Sequence, residues 1–183
     1  NLNKTSSVIK AYKPNFIFHF AAESHVDNSI LSPDSFLKSN VIGTFSLLEA
    51  IKKNYLYLNF KKFIHISTDE IYGDMGNKKK SFTELNQIFP SSPYSASKAA
   101  SDCLVQAWGR TFKIPYLITN CCNNYGKYQN IEKFIPNSII KIKNNQKIPI
   151  YGNGNQSREW INAKTHVKYL YKLMKLNVYN QRI

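Results

Sequence analysis

Three short apolar runs, separated by two long stretches of helical spacing, restrict the first two thirds of this chain to one kind of fold. Asn15-Phe-Ile-Phe-His-Phe20 ends in Ala21-Ala22 and reads as a buried strand. From Pro33 to Lys53, apolar residues recur at Phe36, Leu37, Val41, Phe45, Leu48 and Ile51, which predicts a helix with proline near its entry. Lys62-Phe-Ile-His-Ile66 predicts a second strand, and the Lys-, Asn-, Ser- and Pro-rich stretch from Asp74 to Ser92 a loop. Tyr94 to Phe112 reads as a second long helix and Tyr116 to Thr119 as a third strand. Strands joined through helices must run parallel, so the expected architecture is an α/β layer fold with a doubly wound parallel sheet. Beyond Cys122 the pattern changes to an irregular segment, a helix near Ile131 to Asn144, a short strand at Ile148 to Tyr151 and a last helix near Thr165 to Leu176. The change divides the chain into regions 1–122 and 123–183.

At 183 residues and 43% hydrophobic composition the chain can bury one core, which suggests one domain or at most two. Its longest apolar stretches, Phe16 to Ala22 and Phe45 to Ile51, fall far short of the roughly 20 residues that cross a bilayer. Asn1 to Lys10 lacks a signal-like pattern and a starting methionine, and the last eight residues carry no capping feature. The expectation is a cytoplasmic chain shortened at both ends. Cys103, Cys121 and Cys122 are odd in number and lack metal-ligand spacing, so reduced thiols are expected and no metal. The formal charge of +14 raises nucleic acid or a membrane surface as partners. The excess is scattered lysine, 22 Lys against 3 Arg, with one run at Lys78-Lys79-Lys80, and it argues for neither.

Chemistry concentrates in two segments. Ser67-Thr68-Asp69-Glu70-Ile71-Tyr72-Gly73 closes the second strand, and Ser91-Ser92-Pro93-Tyr94-Ser95-Ala96-Ser97-Lys98 opens the second helix. Both fall where open α/β sheets bind ligands, outside the carboxyl ends of strands. Tyr94 and Lys98 are four apart and share a helix face. A phenol titrates near 10 and is a poor base at neutral pH unless a cation favours its ionised form; Lys98 is placed to supply one. Asp69 and Glu70 add paired carboxylates, of which one can be held protonated by burial beside the other's charge.

Tyr-x-x-x-Lys after a strand-end Ser/Thr resembles the catalytic pattern of short-chain dehydrogenases, and Thr68-Asp69-Glu70 resembles the nucleotide-sugar 4,6-dehydratase branch of the extended family. Further segments resemble it in the same order: Phe20-Ala-Ala-Glu-Ser-His-Val-Asp27, Asn120-Cys-Cys-Asn-Asn-Tyr-Gly126, Glu132-Lys-Phe-Ile-Pro136 and Pro149-Ile-Tyr-Gly-Asn-Gly-Asn-Gln-Ser-Arg158. The resemblance implies a Rossmann-like sheet, NAD as cofactor and dTDP-glucose as substrate. It also implies oxidation at C4, loss of water across C5 and C6, and return of hydride to C6. Tyr94 takes the C4 hydroxyl proton with Lys98 in support, Glu70 takes the C5 proton, Asp69 protonates the departing C6 hydroxyl, and Thr68 contacts the reacting sugar. Phe20, Ala21, Ala22, Glu23, Ser24, Ser39, Tyr94, Lys98 and Asn124 are assigned to NAD. Asn123, Lys133, Phe134, Pro149, Tyr151 and Arg158 are assigned to the nucleotide-sugar, Arg158 as the bidentate group for a diphosphate. His25 and His166 match the family without an assigned role. A homodimer is implied, packed through the helices Pro33 to Lys53 and Tyr94 to Phe112.

The chain departs from the family in lacking the Gly-rich first strand-turn-helix that receives the dinucleotide pyrophosphate. A sheet without those strands exposes an apolar edge. Thr165 stands where an acidic residue is usual, Lys127 where proline is usual, and Gln129-Asn130 replaces a His/aromatic pair. The alternatives are a non-catalytic remnant and a related nucleotide-sugar epimerase. The latter shares Tyr94 and Lys98 but has no use for an acid and base at Asp69 and Glu70.

Overall fold

The computed structural model describes residues 1–74, 81–150 and 152–183. The Lys78–Lys80 run and Tyr151 lie outside the described residues.

The chain forms two compact units, one of Asn1–Cys121 with Leu173–Ile183 and the other of Cys122–Lys172. In the first, helix α1 (Leu2–Tyr12) leads to strand β1 (Phe16–His19), followed by two short helices, α2 (Val26–Leu31) and α3 (Pro33–Phe36). A π-helical segment, Leu37–Ile42, continues into α4 (Gly43–Asn54). Strand β2 (Lys62–Thr68), helix α5 (Pro93–Phe112) and strand β3 (Tyr116–Cys121) complete the alternation. The sheet order is β1-β2-β3-β6, every pairing parallel, where β6 is the two-residue strand Gln181–Arg182. The expected parallel sheet is therefore present, and β2 extends to Thr68, two residues past the predicted strand end. The predicted helix from Pro33 is interrupted by the π-helical turn, which puts Ser39 and the buried Asn40 into wider backbone. Helix α1 is not among the predicted elements, although Leu2 and Ile9 share a face that packs on the core. The Asn1 side chain caps it by accepting from the Asn3 and Lys4 N–H groups, and Ile9 is its buried anchor.

The apolar core lies on the α4 and α5 side of the sheet, where Leu48, Ala50, Ile51 and Val105 meet Phe63, Tyr116 and Ile118. Ten buried residues of this kind, at about 1.5 to 3 kcal/mol each, stabilise that layer. The C-terminal residues, expected with the second region, return to the first. Gln181 and Arg182 pair with Leu117 and Ile118, and the buried Lys62 ammonium donates to the carbonyls of Leu173 at 3.0 Å and Leu176 at 2.8 Å. A cation at the open carbonyls of a helix end is favourable both as a donor and against the helix dipole.

The second unit contains β4 (Asn123–Tyr125) and β5 (Trp160–Asn162), paired in parallel, with α6 (Phe134–Lys143) and most of α7 (Ala163–Lys175). The strand predicted at Ile148 is not formed: 148–150 has no regular structure, and its place is taken by Trp160–Asn162. Pro149 has no N–H to give to a ladder, which removes a short apolar triplet from contention. Among the described residues no helix is long and apolar enough to cross a membrane.

Candidate active site

Helix α5 begins on a capping box. The Ser92 hydroxyl accepts from the Ser95 N–H at 3.1 Å, the Ser95 hydroxyl accepts from the Ser92 N–H at 3.0 Å, and Pro93 occupies the first turn. That start fixes the rotation of the helix, and Tyr94, Lys98 and Asp102 follow at four-residue intervals along one face. All three engage β2. The Tyr94 phenol lies beside the Thr68 hydroxyl. Lys98 Nζ donates to the Ile66 carbonyl at 2.7 Å, and the Ser67 hydroxyl donates to Asp102 Oδ2 at 2.9 Å.

Thr68 combines both readings open to a strand-end threonine. Its hydroxyl oxygen caps the short turn Asp69–Tyr72 by accepting from the Glu70 N–H at 3.2 Å, and it also lies 3.3 Å from Asp69 Oδ1. The turn keeps the half-buried Asp69 and Glu70 beside Thr68 at the carboxyl end of β2. It then exits through Gly73 at φ +85°, where a Cβ would overlap the Phe89 carbonyl oxygen. Only glycine fits there.

Burial pushes the Tyr94 phenol above its ordinary value, the Glu70 charge adds to the rise, and the neighbouring Thr68 hydroxyl opposes it. The Lys98 ammonium donates to the Ile66 carbonyl, and burial lowers the lysine's own pKa against the opposing Asp102 charge. Beneath this pair, His19 Nδ1 and His65 Nδ1 are 3.0 Å apart and both rings are buried. His19 is pulled down to about 3, by burial first and then by His65 and Lys98. His65 is lowered by burial as well.

The proposed cofactor segment follows β1. Phe20, Ala21, Glu23 and Ser24 are exposed and Ala22 is half-buried. Asn40 anchors them, its side-chain oxygen accepting from the Glu23 N–H at 2.8 Å while its amide donates to the Glu23 carbonyl at 3.0 Å and to Ser97 Oγ at 2.9 Å. Ser39 is half-buried beside it in sequence. Neither Asn40 nor Asp102 was a sequence candidate; Asp102 could have been found by extending the Tyr94–Lys98 spacing one more turn.

Within the second unit, Asn123 stands opposite Trp160 in register, and the Phe134 ring lies 6.4 Å from the Trp160 indole. Asn124 Oδ1 is 2.8 Å from His166 Nδ1, and an amide oxygen only accepts, so that nitrogen carries the imidazole proton. Lys133 directly precedes α6 without capping it through its side chain, and Pro149 is exposed. Arg158 donates to the Ser157 carbonyl at 2.7 Å and is otherwise exposed. Among the described residues no group of three His, Cys, Asp or Glu side chains could hold a metal.

A parallel sheet with a Tyr-x-x-x-Lys helix facing a strand-end threonine defines a Rossmann-like unit of the extended short-chain dehydrogenase/reductase class. The family model described as GDP-mannose 4,6 dehydratase matches residues 1–181, and the chain belongs to that family. It is 46% identical over 179 residues to a dTDP-glucose 4,6-dehydratase from Haemophilus influenzae, covering 95% of this chain and 53% of the relative. It is also 46% identical over 172 residues to the one from Neisseria meningitidis, covering 91% and 48%. A dTDP-glucose 4,6-dehydratase from Streptomyces venezuelae, solved with NAD bound, superposes with a TM-score of 0.92 at 35% identity, covering all of this chain and 54% of that one. The chain thus spans about half the length of the relatives it matches.

Proposed function

We propose that this chain carries the proton-transfer machinery of an NAD-dependent 4,6-dehydratase acting on dTDP-glucose. The observation that supports it most is the meeting of Thr68, with Asp69 and Glu70 beside it, and the Tyr94 end of α5. A dehydrogenation needs one proton acceptor. Eliminating water across C5 and C6 needs a further base and an acid, and a strand-end Asp-Glu pair supplies that chemistry. The named activity of the relatives points the same way.

The residues fit NAD in two respects. Lys98 gives one of its three N–H donors to Ile66 among the described residues, so two are left for a ribose diol. Ala21 and Ala22 follow the edge strand β1 with side chains small enough for a ligand to reach the backbone. Phe20 to Ser24, Ser39, Tyr94 and Lys98 would hold it. Bound NAD supplies the hydride acceptor for C4 and, once reduced, the hydride donor for C6. Tyr94, as the phenolate that the Lys98 ammonium favours, takes the proton of the C4 hydroxyl, and Thr68 hydrogen-bonds the reacting sugar. Glu70 removes the C5 proton made acidic by the adjacent C4 ketone, and Asp69 protonates the C6 hydroxyl so that it leaves as water. Hydride on C6 and a proton on C5 then complete the 4-keto-6-deoxy sugar. Asn123, Lys133, Phe134, Pro149, Tyr151 and Arg158 would hold the nucleotide diphosphate. A cytoplasmic homodimer completes the proposal, supported by Leu37 and Ile42 of the π-helical segment, 55% and 57% exposed.

Calorimetric titration of the folded chain with NAD and then dTDP-glucose tests the reading, followed by an assay for the 4-keto-6-deoxy product. Glu70→Gln should retain NAD binding and lose product formation by about 100-fold or more. A folded chain that binds neither ligand would remove the proposal.

A further inference from the structure

Asp102 is fully buried on the sheet side of α5, and the chemistry above gives it no task. Its carboxylate nevertheless ties α5 to β2 and β6. Oδ2 accepts from Ser67 of β2 at 2.9 Å and lies 3.3 Å from the Arg182 guanidinium of β6. Oδ1 lies 3.4 Å from His65 Nε2 without forming a hydrogen bond. Burying a carboxylate costs several kcal/mol unless it is paired, and an apolar residue would pack this layer more cheaply. The charge therefore calls for an explanation beyond stability.

Position supplies one. Ser67 directly precedes Thr68, and Asp102 stands one helical turn beyond Lys98 and two beyond Tyr94 on the same face. We propose that Asp102 is a positioning residue for the Tyr94–Lys98 pair. It clamps the end of β2 through Ser67, so that Thr68 is held against Tyr94, and it supplies a buried negative charge one turn from the Lys98 ammonium. The proposal rests on the functional reading of Tyr94 and Lys98 given above.

The groups facing Lys98 are few. Tyr94 and Asp102 lie on its own helix, His19 comes from β1, His65 from β2 and Cys121 from β3, with Arg182 of β6 paired to Asp102. Both histidines are lowered by burial and neutral near pH 7, so they neither compete for Asp102 nor replace it. Asp102 and Cys121 are the groups that favour the charged form of Lys98.

The test needs neither cofactor nor turnover, so its failure is distinct from failure of the dehydratase reading. In the full chain with 13C-labelled lysine, the Lys98 Cε signal, assigned with Lys98→Met, is followed against pH. Asp102→Asn keeps an acceptor for Ser67 and removes the charge. At the roughly 6 Å separation of adjacent turns, its loss should raise the acid dissociation constant of Lys98 about tenfold or more. Ser67→Ala, which leaves the charge in place, should hold that constant within about threefold of wild type. An unchanged Lys98 titration in folded Asp102→Asn overturns the proposal. If that variant does not fold, Asp102→Ser is read in its place by the same Lys98 titration, and an unchanged Lys98 constant in that folded chain overturns the proposal equally.

Discussion

The two buried histidines under the site make a prediction about acid stability. His19 has a folded-state pKa of about 3 against an ordinary 6.5. Between those values the unfolded chain binds a proton at His19 that the folded chain refuses. Stability depends on pH through the difference in bound protons, so it rises with pH across this window. The contribution is fully present above pH 6.5 and is lost progressively as pH falls toward 3. A difference of about 3.5 units at ~1.36 kcal/mol each gives a loss of about 5 kcal/mol across the window, or ~1.4 kcal/mol per pH unit. His65 is lowered in the same direction and adds to the slope.

That loss is comparable to the whole stability of many domains, ~5 to 15 kcal/mol. Urea unfolding followed by circular dichroism at pH 7, 6, 5 and 4.5 should therefore show midpoints falling steadily above the range where most carboxylates protonate. His19→Asn removes one titrating ring and should flatten the slope by about one proton while leaving that of His65. Midpoints that do not change between pH 7 and 4.5 would refute the reasoning, as would a His19→Asn chain with an undiminished slope.

Two further predictions concern the end of β2. Thr68→Val deletes the cap on the Glu70 N–H and the hydroxyl beside the Tyr94 phenol at constant shape, so it should cost about 1 to 2 kcal/mol in urea unfolding and drive the phenol pKa further up; Thr68→Ser should restore most of both. Gly73→Ala introduces a Cβ against the Phe89 carbonyl at a left-handed φ and should destabilise by about 2 kcal/mol or more, read as a lower thermal midpoint; a midpoint within a degree or two of wild type would contradict the turn geometry.

The parts of the fold legible in sequence were those whose signal is periodic. β1, β2, β3 and α5 were readable because apolar runs and four-residue spacing leave a pattern longer than their ends. Helix α1, the π-helical turn at Leu37–Ile42 and the short strands β4, β5 and β6 were not. Two or three residues hold no period, and nothing in Leu-Lys-Ser-Asn-Val-Ile distinguishes a π from an α turn. Within the site, Thr68, Asp69, Glu70, Tyr94 and Lys98 were readable as a strand end facing a helix start. The supports of that site were not, because Asn40, His65 and Asp102 owe their importance to burial, and burial of a polar side chain depends on what the rest of the chain brings to it.

The same contacts explain why a strand that looks uniformly apolar can carry chemistry. Along the face of β2 that meets α5, alternate residues run from Phe63 in the apolar cluster, through His65, to Ser67 on Asp102. α5 runs against it with a matching order, from Val105 in that same cluster back through Asp102 and Lys98 to Tyr94. Each element grades from apolar to polar toward the carboxyl end of the sheet, and the two gradients coincide at one register only. A slip of β2 by one residue would reverse its faces, turning Lys62 and Ile64 toward α5 and taking His65 and Ser67 away from Asp102. It would cost buried apolar area at one end and leave an unpaired carboxylate at the other, a penalty of several kcal/mol from each source. The polar end therefore contributes to specifying the fold as well as the site, and the geometry between Thr68 and Tyr94 is held by the same register that closes the core.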